Sequence, residues 1–82
     1  MNMAEIEFSG DERQIRLTVR TKNKAAISDF ERRLLERFNI LKVQWDQRMT
    51  YEFVMELKKG ILLKKEQVAS VVRIDLRKSG LQ

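Results

Sequence analysis

The stretch "MTYEFVMEL", Met49–Leu57, decides how this chain folds. Tyr51, Phe53, Met55 and Leu57 alternate with Thr50, Glu52, Val54 and Glu56, the period of two that a β-strand imposes on side chains standing on opposite faces. Rings turned to water would be free to stack on nucleic-acid bases, whereas rings turned inward are core. Neighbouring segments decide between the two. In "QIRLTVRT", residues 14–21, Ile15, Leu17 and Val19 alternate with Arg16, Thr18 and Arg20. "ILKVQWD", residues 40–46, sets Leu41, Val43 and Trp45 against Lys42, Gln44 and Asp46, and "VRIDLRK" sets Val72, Ile74 and Leu76 against Arg73, Asp75 and Arg77. A sheet with one wet face buries its more apolar set, and each buried side chain contributes about 1.5–3 kcal/mol. Tyr51 and Phe53 belong to that set. In the outward set only Val54 is strongly apolar.

The competing reading is a module that binds RNA on an open sheet, with a third-strand motif of the type K/R-G-F/Y-G/A-F/Y-V-x-F/Y. "MTYEFVME" matches it at Tyr51, Phe53 and Val54; Met49 and Thr50 replace the basic–glycine pair, and Glu52 and Glu56 replace the small residue and the last aromatic. That orientation would bury both glutamates and expose Met55 and Leu57. Tyr51 and Phe53 are therefore expected in the core.

Between the first two strands, "AAISDFERRLLERF" repeats Ile27, Phe30, Leu34 and Phe38 at helical spacing. Asn23 is the preferred N-cap, with Ser28 and Glu31 as an alternative capping box, and Asn39 is a candidate to close the helix. "DQRM" reads as the hairpin connection before the strand of the opening stretch. The last third reads as a short helix through Leu63, Val68 and Val71 or Val72 and then a closing strand, with a hairpin extending "ILLKK" as the second choice. At the front, "AEIEF" is an extra strand or an extended tail. The order strand–helix–strand–strand–helix–strand, with right-handed crossovers, predicts a ferredoxin-like βαββαβ sandwich: a four-stranded antiparallel sheet with two helices on one face. Residues 14–78 make up this α+β domain, 1–13 an N-terminal extension or extra strand, and 79–82 a tail.

Composition narrows the chemistry. Eighty-two residues make one small domain with no room for a deep catalytic cavity. Without cysteine there are no disulfides or thiolate metal sites, which fits a reducing, cytoplasmic setting; without histidine, the commonest metal ligand and neutral-pH base is missing. No apolar run is long enough to span a bilayer. The expectation is a protein that is not an enzyme, with no catalytic, cofactor or metal residues. Glu52 and Glu56 share a strand face as a carboxylate pair would, but with no pocket they read as surface acids.

The net charge of +5 admits anionic partners, and two clusters are candidates. Arg20, Lys22 and Lys24 stand where a strand runs into a helix N-terminus, and Lys58, Lys59, Lys64 and Lys65 bracket Gly60. A solvated, salt-bridged surface is the plainer account of these and of the charged sheet face. The stronger interaction argument is the second strand, which this topology puts at the sheet border with unpaired backbone groups; Ile40, Lys42, Gln44 and Trp45 are its candidate interface residues. Pairing there would give a homodimer or dock a protein partner.

The stretch from Gln14 to Leu76, through "IRLTVRTK", "ISDFERRLLERFNILKVQWDQ" and "YEFVMEL", resembles the small ACT-type regulatory domains and is similar in flavour to the ACT-like cytosolic tail of MgtC-type bacterial membrane proteins. Amino-acid-binding ACT domains usually carry a glycine in the loop after the first strand, where this chain has Thr21, Lys22, Asn23 and Lys24. The resemblance implies a cytoplasmic regulatory or oligomerisation domain, the soluble part of a larger membrane protein in the second case. The alternative is a nucleic-acid or anionic-surface binder using the basic loops.

Overall fold

A computed structural model of the chain describes residues 3–8 and 13–81. Its elements are β1 (Met3–Phe8), β2 (Gln14–Arg20), α1 (Lys24–Leu34), β3 (Phe38–Trp45), β4 (Thr50–Leu57) and α2 (Lys65–Lys78). The strands form one antiparallel sheet in the order β1-β2-β4-β3. Both helices cover the same face, giving the α+β, ferredoxin-like layering read from the sequence. Across the central pair Ile15 faces Met55, Leu17 faces Phe53 and Val19 faces Tyr51. Phe30 and Leu34 of α1 and Val68, Val72 and Leu76 of α2 close over them into a single core. Phe53 is fully buried with Phe30 edge-on at 5.7 Å, and Tyr51 is 8% exposed. The rings of the opening stretch point inward. Arg16 lies on the other, open face, its Nε 3.9 Å from the Glu52 carboxylate.

The element order departs from expectation at both ends. No strand forms over 72–77; residues 65–78 are one helix, and the chain runs ββαββα rather than βαββαβ. The buried residues of α2 are Val68, Val72, Asp75 and Leu76, spaced i, i+4, i+7 and i+8. Val72 and Leu76 fit either period because they are four apart. Ile74, which separates the two, is 44% exposed. The border position beside β2 that a closing strand would fill belongs instead to β1, with Ile6 opposite Leu17. Arg73, Asp75 and Arg77 therefore leave the sheet face: the arginines are exposed on α2 and Asp75 is buried.

Local signals fix the helix ends. The Asn23 Oδ1 accepts the Ala26 N–H at 3.0 Å, as an N-cap should. Helix α1 stops at Leu34 and not at Phe38, and Asn39 lies within β3 and does not close the helix. Phe38 is buried from the strand. Helix α2 opens with the Lys64 N–H donating to Gln67 Oε1 at 2.8 Å. It closes in a Schellman motif: the Leu81 N–H donates to the Leu76 carbonyl at 2.8 Å and the Gly80 N–H to the Arg77 carbonyl at 3.1 Å, with Gly80 at φ +84°. This brings Leu81, in the stretch read as a tail, into the core. Residues 61–64 form no strand, so the second-choice hairpin does not occur. Among the described residues no helix is long and apolar enough to cross a membrane.

Candidate functional site

Strand β3 is a sheet border, as the sequence predicts, but its apolar residues are arranged differently. The register with β4 shifts between Ile40 and Lys42, so Leu41 is the extra residue of a β-bulge. Ile40, Val43 and Trp45 consequently share the helix-side face, opposite Met55, Phe53 and Tyr51. Leu41, Val43 and Trp45, expected as core, are 50%, 41% and 50% exposed. Position is the reason: β3 is the border strand, so Val43 and Trp45 have a neighbouring strand on one side only, whereas Phe53 and Tyr51 opposite them on β4 are flanked on both sides and buried. Trp45 leans on Tyr51 with ring centroids 6.4 Å apart, and Lys24 Nζ sits 5.3 Å from the Trp45 ring centroid.

Backbone direction follows from the ladder. The Asp46 N–H donates to the Thr50 carbonyl at 3.1 Å, and at the strand's far end the Lys58 N–H donates to the Arg37 carbonyl at 2.9 Å. Bonded and non-bonded pairs alternate along an antiparallel ladder. Counting from Asp46·Thr50, Gln44 and Lys42 bond inward to β4, while Trp45 and Val43 aim N–H and C=O out of the sheet. The same two residues expose apolar side chains. The turn beyond is held by Asp46 Oδ1, which accepts the N–H groups of Arg48 at 2.9 Å and Thr50 at 3.2 Å, and it takes Met49 to φ +60°. An open hollow of about 430 Å³ lies beside this border, lined by Gln44, Trp45, Asp46, Thr50 and Glu52.

The interface residues named from the sequence thus split by face. Ile40 and Trp45 are on the helix side, and Lys42 and Gln44 are exposed on the open side. Sequence reasoning missed Val43, whose outward backbone depends on the bulge, and Asp46, which it treated only as part of the turn. The other border, β1, presents exposed Glu5 and Glu7, charges that discourage strand addition.

The basic candidates do not converge. Arg20 pairs with Thr50 at the start of β4, whereas Lys58 and Lys59 follow its last residue, Leu57, roughly 26 Å away along the strand. Lys64 and Lys65 begin α2. Around Lys22 the local donors are already used: Thr21 Oγ1 accepts the Asn23 N–H at 3.0 Å, and Asn23 caps α1. Lys24 is drawn to Trp45.

A second polar feature lies between the helices. Asp75, 6% exposed, borders a cleft of about 140 Å³ with Arg33, Glu36, Arg37, Val71, Ile74 and Lys78, and its Oδ2 has no hydrogen-bond partner. Burial pushes its carboxyl above the usual range; Arg37, Arg33 and Lys78 oppose that shift and Glu36 adds to it. On α1, hydrogen bonds from Arg33 and Arg32 hold Asp29 below the usual range. Comparison of the chain with protein-family models, with curated proteins and with solved structures returned no match at any of the three levels.

Proposed function

We propose that this chain is a non-enzymatic oligomerisation domain that associates by strand addition along β3. The observation that carries the reading is the coincidence, at Val43 and Trp45, of outward-pointing backbone and half-exposed apolar side chains. Strand addition needs both: hydrogen-bonding groups free for a second ladder and side chains that gain by leaving water. Within this reading, a regulatory role in the cytoplasm, as a free protein or as part of a larger membrane protein, is the biological setting we favour.

Val43→Pro is the clean test. Its N–H points out of the sheet, so proline there blocks a second ladder without removing a bond to β4. Sedimentation of the wild-type chain should show concentration-dependent association, and Val43→Pro should remain monomeric while keeping a folded circular-dichroism spectrum. A wild type that stays monomeric up to millimolar concentration, or a proline variant that associates equally well, refutes the reading. Association should also survive added salt, whereas phosphate-driven binding through the basic loops would weaken steeply.

A further inference from the structure

We infer that the partner on β3 is a second copy of this chain, paired antiparallel in the single register centred on Gln44. This rests on the strand-addition reading above and adds to it the occupant and its alignment. Around Gln44 the sequence reads Lys42, Val43, Gln44, Trp45, Asp46. Turned about a two-fold axis through Gln44, the segment meets its own complement: Lys42 lies across from Asp46 of the second copy, Val43 across from Trp45, and Gln44 across from itself.

Three features of the fold agree with that alignment. First, Val43 and Trp45 have the outward backbone groups, so the two Val43–Trp45 pairs become the bonded pairs and supply four N–H···O=C bonds. Second, Lys42 and Gln44 share the open face, and Asp46 continues that alternation, so the opposite charges meet on one side while the apolar pair meets on the other. Third, the charges have no use for each other within one chain. Four residues apart on an extended strand, Lys42 and Asp46 stand about 13 Å from each other, beyond ion-pair reach. Lys42 makes no ion pair among the described residues, and Asp46 spends only Oδ1 on its own turn, leaving Oδ2 for a neighbour. The hollow of about 430 Å³ beside Asp46 is also bordered by Glu52, so an incoming lysine stem enters an acidic space. A register centred on Val43 would instead set Lys42 against Gln44 and leave Asp46 without a cation.

Disulfide trapping reads the register directly, because the chain has no cysteine of its own. In the Gln44-centred dimer the two Gln44 Cα atoms form a non-bonded pair about 4.5 Å apart, within disulfide range, while the two Lys42 Cα atoms are about 13 Å or more apart. Gln44→Cys should therefore oxidise to a covalent dimer under mild conditions, and Lys42→Cys should stay reduced. In the cysteine-free chain, Lys42→Glu should raise the dimer dissociation constant about tenfold by facing each Asp46 with a like charge. Adding Asp46→Asn, which keeps the turn's acceptor oxygen, should recover most of the loss. If Lys42→Cys crosslinks as readily as Gln44→Cys, or Lys42→Glu associates like wild type, the register is wrong even where Val43→Pro shows that β3 is the interface.

Discussion

Asp75 offers the most direct test of the packing between the helices, through Asp75→Asn. The side chain is 6% exposed and one carboxylate oxygen has no partner, a situation that costs about 1–3 kcal/mol when the group is charged. Arg37, Arg33 and Lys78 return part of that through attraction, and Glu36 works against them, so the net gain on removing the charge at pH 7 should lie near the lower end, about 1 kcal/mol. For a domain of this size that is a rise in Tm of about 4–8 °C. The pH dependence gives the sign. A carboxyl whose pKa is raised by folding binds more protons folded than unfolded. Its contribution is most favourable below the unfolded value of about 3.9 and is lost as pH rises through the folded value. The advantage of the variant over wild type should thus be near zero below the unfolded value, grow as the pH rises through the folded value, and level off above it. Asp29 has the opposite sign, its lowered pKa losing stability as pH falls, but it is present in both proteins and cancels in the difference. Urea unfolding of the two proteins at a series of pH values measures that difference. A variant less stable than wild type at pH 7, or an advantage independent of pH, would mean that Asp75 is satisfied in solution and that the helices do not pack as described.

Three further substitutions probe the local signals, each read by thermal or urea unfolding. Asn23→Ala should lose about 1 kcal/mol, because the Ala26 N–H loses its acceptor at the start of α1. Met49→Gly should gain up to about 1 kcal/mol by relieving a side chain held at φ +60°; a loss would show that the turn does not take that conformation. Phe53→Ala should lose about 3–5 kcal/mol, enough to unfold much of a small domain, while Val54→Thr, one position along on the half-exposed open face, should stay within about 1 kcal/mol of wild type.

Where a period was long and unambiguous the sequence carried the fold. The alternation over 14–20 and 50–57, the spacing of Ile27, Phe30 and Leu34 in α1 and the Asn23 cap all reappear in the fold. The C-terminal segment misled because Val72 and Leu76 satisfy two periods at once; only the burial of Val68 and the exposure of Ile74 separate them, and both depend on what packs nearby. Once α2 took those residues, the fourth strand had to come from the N-terminus, so a permuted order yields the same layers. The bulge at Leu41 is the other illegible feature. "ILKVQW" alternates evenly on paper, and no glycine marks the irregularity.

That bulge is also what separates the candidate interface from ordinary core. With an unbroken register Leu41, Val43 and Trp45 would have stood together, and Ile40 would have pointed to the open side. The shift hands the inward place at Met55 to Ile40 and leaves Val43 and Trp45 half exposed on the helix side of a border strand that only β4 flanks. Exposed apolar residues on an open border would ordinarily be a liability for aggregation. Here the residues flanking them limit that risk: with Lys42 on one side and Asp46 on the other, a strand added out of register sets like charges together or strands one of them. The charges thus do little for the stability of one copy and much to restrict which strand, and in which alignment, can be added to it.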